Sequence, residues 1–471
     1  MIDYSATYTD QYELTMGQVY FHKGQKNDTA IFDYFFRKLP FKGGYAIFTG
    51  LEDFLQALQK FRFNNEDIDF LRDEGMDPEY LEYLKDFRFS GTVYACREGD
   101  LIFPNRPIMS IEAPIIEAQI LETIVLNILN YQTLIATKAS RMRLAAGDRK
   151  LVDFGLRRAP GPGGYYASRA AAIGGFDATS NVRSGRDYNI PVSGTMAHSF
   201  VQSYDDEISS FRDFAEIREN DCILLVDTYD TLKSGVPNAI KVAKEMEEEG
   251  GRLKGIRLDS GDLAWLAKKS RKMLDDASLE YVKIAASNQL DEEVIKSLIV
   301  QQAPIDLFGV GTSLVTGRPD AALDGVYKLS YAGGEPRLKL SETPEKINLP
   351  GKKQVYRIVE ENGFFYGADV VSLAEEKEGE LDVMLHPSKS HMSLSIGRYK
   401  KEPLLHKVVD NGERISEPKS INEIAEYSRQ RLNCLSEEYK RFENPHLYKV
   451  GLSKSLKQER DRLVNRYRQK A

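Results

Sequence analysis

The chain has 471 residues, 42% hydrophobic and 29% charged, with a formal net charge of −7. That length exceeds one typical core and predicts two domains, or one barrel with substantial additions, while the acidic balance argues against a nucleic-acid footprint, which is basic. Met1-Ile2-Asp3-Tyr4-Ser5-Ala6 lacks a leader-like pattern and no apolar run approaches the ~20 residues of a membrane span, so a cytoplasmic protein without a membrane partner is expected.

From the amino terminus, Ile31 to Phe36 reads as an apolar strand, 51–61 and 77–86 as amphipathic helices, and Gly91 to Ala95 as a strand. From Ile115 to Leu134 a long apolar helix follows. Cys96, Cys222 and Cys434 lie far apart without C-x-x-C spacing, which indicates buried thiols rather than disulfides or a zinc site. Residues 1–135 are therefore expected to form an α/β domain.

Residues 136–335 repeat a pattern of short apolar strand, polar tip and helix. The strands are Leu151–Phe154, Cys222–Val226, Gly255–Leu258, Tyr281–Ile284 and Asp306–Gly309, and the helices fall at 238–249, 262–275 and 291–300. Strands alternating with helices imply parallel pairing, and a (β/α) barrel fits better than an open sheet. Residues 336–471 turn Lys/Glu-rich, with a strand at Val355–Val359 and helices near 420–441 and 453–469. They are expected to be an appended region packing on the other domains.

In such barrels chemistry gathers at the carboxyl ends of the strands, where Arg157, Asp177, His198, Asp227, Asp259, Asn288 and Gly311-Thr312-Ser313 are expected. The turn Phe154-Gly155-Leu156-Arg157-Arg158, with Gly163-Gly164 beyond it, combines forked arginine donors with freed backbone N–H groups and suits an anion. Gly309-Val310-Gly311-Thr312-Ser313 follows a strand where barrels build phosphate sites, although a tight turn with a Ser/Thr cap reads equally simply. Asp259 and Asp262 in Asp-Ser-Gly-Asp also suit a helix cap, but Arg257 shares a strand face with Asp259. Asp227 and Asp230 end the preceding strand, and carboxylates beside a phosphate site suit Mg²⁺. His198, one of six histidines, follows the Gly194-Thr195 turn, where an imidazole suits transfer of a proton or phosphoryl group.

Together these motifs resemble the nicotinate phosphoribosyltransferase family, type II phosphoribosyltransferases with an irregular α/β barrel. The resemblance runs from Thr9-Asp10-Gln11-Tyr12-Glu13-Leu14-Thr15-Met16 through Phe154–Ala159, Gly174–Asn181, Gly194–Ser199, Arg257–Asp262 and Gly309–Ser313 to Asn444-Pro445-His446-Leu447-Tyr448. It implies that nicotinate and 5-phosphoribosyl 1-pyrophosphate give nicotinate mononucleotide and pyrophosphate with ATP hydrolysed alongside, in NAD salvage. It further implies that ATP phosphorylates His198, that Arg157 and Arg257 hold substrate, and that Tyr12 stacks on the pyridine ring from the neighbouring subunit of a homodimer. Phe154, Asp177 and Thr195 are expected at the substrate, Thr195 or an arginine meeting the nicotinate carboxylate. Gly309, Gly311, Thr312 and Ser313 are expected at the 5-phosphate, and Asp227 and Asp259 near Mg²⁺. The glycine-rich turn Pro160–Tyr166 and Phe200 depart from the family pattern and leave local loop shape open.

The alternatives are a nicotinamide phosphoribosyltransferase, with a comparable barrel, and a quinolinate enzyme, whose family is shorter and lacks the phosphorylated histidine. From another reaction class comes a barrel aldolase using Lys283 as a Schiff-base amine, which requires desolvation. A non-catalytic interaction protein would leave Arg157, His198, Arg257, Asp259 and Gly311 on one rim unexplained. Lys346, Lys352 and Lys353 remain without a role, unless as a basic loop near a phosphate.

Overall fold

The computed structural model describes residues 4–341, 347–389 and 391–470, and Lys346 lies outside them. The chain passes from a first contact unit to a second between Thr137 and Lys138 and returns to the first between Ala321 and Ala322. The residues after Ala321 thus group with the amino-terminal segment, where the sequence suggested a separate region from residue 336.

In the first unit, the β-branched and aromatic run Thr29–Phe36 forms an inner strand of a seven-stranded sheet, pairing antiparallel with Gly325–Ala332 and with Met109–Pro114. A second, six-stranded sheet is built around the antiparallel pair Lys353–Val359 and Phe365–Leu373. Only one of its strands is expected from sequence, because its short members such as Val383–Leu385 and Ser393–Ser395 carry no readable alternation. Register places Arg357 opposite Asp369, and both are buried. Arg357 Nη1 also pairs with Asp100 Oδ1 at 2.7 Å, Arg106 Nε with Asp369 Oδ2 at 2.8 Å, and Arg431 Nε with Asp100 Oδ1 at 2.9 Å. Tyr448 of the carboxyl-terminal motif donates to Asp369 Oδ1 at 2.7 Å, so that motif serves this buried network.

Lys352 and Lys353 do not form a free basic loop. Lys353 Nζ is buried 2.9 Å from Asp33 Oδ2, and Lys352 Nζ lies 2.5 Å from Glu112 Oε2. The apolar stretch 115–146 is long and apolar enough to cross a membrane by length and composition, but most of it is buried as in a core helix.

The second unit carries six strands: β1 (Lys150–Asp153), β2 (Ala178–Thr179), β3 (Ile223–Leu225), β4 (Gly255–Leu258), β5 (Lys283–Ser287) and β6 (Leu307–Val310). They form one parallel sheet in the order β2-β1-β6-β5-β4-β3. That is the cyclic neighbour order of a (β/α) barrel, with amphipathic helices such as Val236–Glu248, Leu263–Asp276 and Glu292–Val300 between strands. Among the described residues no ladder joins β2 to β3, so the hydrogen-bonded sheet is an open half-barrel rather than a closed ring. The 180–222 segment between those two strands carries His198.

Candidate active site

The carboxyl ends of β1 and β6 lie side by side, with Asp153 opposite Val310 and Phe154 N donating to Val310 O at 2.8 Å. Asp153 is buried and receives three neutral donors. Gly155 N reaches Oδ1 at 2.8 Å, while Ser168 Oγ and Thr179 Oγ1 reach Oδ2 at 2.7 and 2.8 Å. One carboxylate thus ties together the turn after β1, the helix Gly163–Ile173 and the end of β2. Burial raises its pKa, against the opposing pull of Ser168, Gly155 and Thr179. The anchored turn continues into Leu156–Arg158, which presents Arg157 in an exposed position.

His198 opens the short helix His198–Gln202, and its Nε2 lies 3.2 Å from Asp227 Oδ1, just beyond β3. The carboxylate places the imidazole proton on Nε2, which leaves the Nδ1 lone pair for a ligand. The His198 side chain is 38% exposed and that of Asp227 only 1%. The other oxygen of Asp227 accepts from Asp259 N at 3.0 Å and from Ser260 Oγ at 2.6 Å. Asp259, beyond β4, in turn accepts a very short hydrogen bond from Ser287 Oγ at the end of β5. Three neighbouring strand ends are linked in this way. Ser260 and Ser287 were not singled out from sequence, since an isolated serine beside a strand has no pattern of its own.

Arg257, partly buried on β4, donates from Nη1 to Thr195 Oγ1 at 2.5 Å. Its Nε is buried and has no hydrogen-bond partner among the described residues. Burial lowers the Arg257 pKa, Asp259 and Asp227 offset this, and the charge of Arg157 adds to the lowering. Two guanidinium groups that feel each other, one with an unsatisfied buried N–H, are an incomplete arrangement that an anion would complete.

Other expected site residues take different places. Gly309 lies inside β6, paired on both sides, and a Cβ there would come within 2.3 Å of the Phe154 ring. It makes room for Phe154 and does not belong to a phosphate loop. Gly311, exposed Thr312 and buried Ser313 do lie past the strand end, at the start of the one-turn helix Thr312–Val315. Asp177 precedes β2 instead of ending a strand. It accepts from Leu151 N at 2.8 Å and pairs with Arg143 Nη2 at 2.5 Å, at the amino end of the sheet and away from the rim. Asp230 caps the π-helical turn Thr231–Gly235 by accepting from Leu232 N and Lys233 N. Lys283 begins β5, with its side chain 65% exposed and Nζ 3.1 Å from Asp306 Oδ1, so it lacks the desolvation a Schiff-base lysine requires. Tyr12 belongs to the first unit, on the helix Gln11–His22, and is 46% exposed.

The donor set bears on the expected magnesium site. Among the described residues no group of three or more His, Cys, Asp or Glu surrounds a common metal position. Asp227 Oδ2 already accepts from Asp259 N and Ser260 Oγ and Oδ1 meets His198 Nε2, so an ion at Asp227 would share Oδ1 with the imidazole. Asp259 uses only Oδ1, and its Oδ2 suits an ion that takes one carboxylate together with ligand phosphates.

Comparison with known proteins agrees over most of the chain. Residues 7–130 match the nicotinate phosphoribosyltransferase N-terminal domain, 149–358 the nicotinate phosphoribosyltransferase family, and 352–460 the nicotinate phosphoribosyltransferase C-terminal domain. The chain is 44% identical to nicotinate phosphoribosyltransferase of Bacillus subtilis over 96% of this chain and 93% of that protein. It is 35% identical to the human protein of the same name, over 95% and 94%. The crystal structure of human nicotinic acid phosphoribosyltransferase superposes with a TM-score of 0.85 at 32% identity, covering 97% of this chain and 99% of that one. Nicotinate-nucleotide pyrophosphorylase from Pyrococcus furiosus gives 0.71 at 26% identity, covering 91% and 95%.

Proposed function

We infer the activity from one premise: the chain belongs to the nicotinate phosphoribosyltransferase family. It is an enzyme of NAD biosynthesis that transfers the 5-phosphoribosyl group of 5-phosphoribosyl 1-pyrophosphate to nicotinate, giving nicotinate mononucleotide and pyrophosphate. The observation that carries this reading onto the residues is the buried, unpartnered Nε of Arg257 beside the linked His198–Asp227 pair.

The pyridine nitrogen of nicotinate is already a nucleophile, so the site has to orient the ring and stabilise a departing pyrophosphate rather than supply a strong base. Arg257 and Arg157 supply the fixed positive charge, with Thr195 bonded to Arg257 and placed to meet the nicotinate carboxylate. The N–H groups and hydroxyls of Gly311, Thr312 and Ser313 meet the 5-phosphate. Phe154, packed over Gly309 at the end of β1, faces the substrate. His198 receives the terminal phosphoryl group of ATP on Nδ1, ADP leaving, and the phosphohistidine later loses phosphate to water, while Asp227 holds the Nε2 proton and stabilises the charge that develops on the ring. Asp259 is the residue here that would hold Mg²⁺, an ion that neutralises pyrophosphate oxygens when bound. The chain works as a homodimer in which Tyr12 stacks on the pyridine ring in the partner's site.

Pyrophosphate release is the direct test, with nicotinate or nicotinamide, each with and without ATP, for the wild type and His198→Ala. Nicotinate-dependent release that ATP stimulates, with the stimulation lost in His198→Ala, is expected. Preference for nicotinamide would overturn the substrate assignment, and ATP stimulation that survives His198→Ala would overturn the role of that residue.

A further inference from the structure

The stance of the His198 ring is decided outside its own element. His198 opens a helix of only 5 residues, His198–Gln202, whose N-cap Ala197 makes no side-chain bond, and the segment 193–197 before it is irregular. Among the described residues the ring has one hydrogen-bond partner, Asp227 Oδ1, at 3.2 Å from Nε2. Whatever fixes that carboxylate therefore fixes the ring.

Covalent geometry does not fix it. The Cβ–Cγ torsion of an aspartate is broad, so hydrogen bonds have to set the plane of the two oxygens. Oδ2 accepts from Asp259 N at 3.0 Å and from Ser260 Oγ at 2.6 Å, and these two donors fill its lone pairs. One donor alone would let the carboxylate swing about a single bond. Two donors from adjacent residues of one turn define its plane and leave Oδ1 to the imidazole. Water in place of the hydroxyl would satisfy Oδ2, but it would not be anchored to β4.

The hydroxyl is held in place by its turn. On one side, Asp259 is fastened by the very short hydrogen bond from Ser287 Oγ at the end of β5. On the other, Gly261 takes the left-handed backbone at φ +75°, and Asp262 caps the helix Leu263–Asp276 by accepting from Trp265 N at 3.0 Å. Ser260 thus sits between a strand end and a capped helix. As a residue it is exposed, whereas the Asp227 side chain it reaches is 1% exposed. Turn serines commonly bond their own local backbone, but this one donates at a charge-assisted distance to a carboxylate beyond the neighbouring strand.

We propose that Ser260 is a positioning residue: its hydroxyl fixes the plane of the Asp227 carboxylate and so holds His198 with the Nε2 proton on Asp227 and the Nδ1 lone pair open to ATP. This rests on the role given to His198 under Proposed function. In the step it serves, the Nδ1 lone pair forms a bond to the terminal phosphorus as the bond from that phosphorus to the ADP oxygen breaks. ADP leaves, and the Nε2 proton stays against Asp227, whose charge offsets that of the ring. Without the hydroxyl the carboxylate turns about its bond from Asp259 N, and the ring turns with it.

The test is the initial rate at which ATP, supplied with Mg²⁺, phosphorylates the full chain in wild type, Ser260→Ala and Ser260→Thr, with the phosphohistidine isomer read by ³¹P NMR after alkaline denaturation. Wild type is expected to carry the phosphate on Nδ1 of His198. Ser260→Ala is expected to react ~10-fold more slowly, and Ser260→Thr, which keeps a hydroxyl, within ~2-fold of wild type. A wild-type rate in Ser260→Ala, or a Ser260→Thr rate as low as that of Ser260→Ala, overturns the proposal.

Pyrophosphate release separates positioning from a general defect. The ratio of ATP-stimulated to ATP-independent release is expected to fall ~10-fold in Ser260→Ala and to return in Ser260→Thr. A parallel loss of both activities, with the ratio unchanged, overturns the positioning role. Wild type without phosphohistidine at position 198, or with the phosphate on Nε2, removes the role given to His198 and the role of Ser260 with it. Phosphate on Nδ1 at equal rates in wild type and Ser260→Ala leaves His198 in its role and overturns that of Ser260 alone.

Discussion

His198 and Asp227 meet at 3.2 Å between Nε2 and Oδ1, with the imidazole 38% exposed and the carboxylate side chain 1% exposed. An accessible ring is thus backed by a buried anion that also receives Asp259 N and Ser260 Oγ. The acid is fixed before the histidine, because its second oxygen is held by the β4 turn. The ring orientation is consequently set by the sheet.

Asp227→Asn should keep the fold but weaken the hold on the Nε2 proton. ATP stimulation of pyrophosphate release is expected to fall ~10–100-fold, with ATP-independent turnover within ~3-fold of wild type. Pyrophosphate assays with and without ATP, together with quantification of acid-labile phosphohistidine, check this. Equal losses in both assays would mean that Asp227 acts elsewhere.

Gly309→Ala places a Cβ 2.3 Å from the Phe154 ring, and Gly155→Ala places one 2.0 Å from Val315 Cγ1. Each should cost about 1–3 kcal/mol by thermal or denaturant unfolding. Gly194→Ala, with nothing within 4 Å of the added atom, should stay within about 0.5 kcal/mol.

Asp153→Ala leaves Gly155 N, Ser168 Oγ and Thr179 Oγ1 without their shared acceptor, and about 1–3 kcal/mol of stability should be lost. The Asp153 pKa is raised by burial, so its contribution is fully present below the ordinary 3.8 and declines as pH rises through the folded value. The gap between wild type and Asp153→Asn should narrow as pH rises. Urea titrations at several pH values measure it.

Arg357→Met leaves Asp100 and Asp369 buried with fewer cations, at a cost of about 3–5 kcal/mol. Burial alone would raise the Asp100 pKa, but Arg357 and Arg431 outweigh it and hold the carboxyl below its ordinary 3.8. The stabilisation is therefore present above 3.8 and lost as pH falls through the folded value, so the wild-type advantage should shrink in acid. Denaturation curves of both proteins on acidification test the sign.

The long amphipathic helices were legible because their periodicity extends over enough residues to read, and five of the six strands of the parallel sheet because short apolar runs alternate with those helices, whereas Ala178–Thr179 was not. The same reasoning found Thr29–Phe36 but missed most of the second sheet in the first unit, whose short strands are held by partners far away in sequence. Asp177 shows the limit at the site. Placed by motif on the rim, it instead precedes β2 and fastens Arg143 and Leu151, because a two-residue strand gives no sign of which end a flanking residue occupies.

The family, the reaction class and the residue types of the rim were determined by sequence alone, since spaced strings such as Arg257–Asp262 and Gly194–Ser199 carry specific donors in a fixed order. Tertiary structure alone decided which groups are already committed. It paired Asp227 with His198, set Gly309 against the Phe154 ring and bound Lys353 to Asp33. The physical reason is that hydrogen-bond saturation and desolvation depend on neighbours brought together across many residues of chain, and local pattern contains no record of those neighbours.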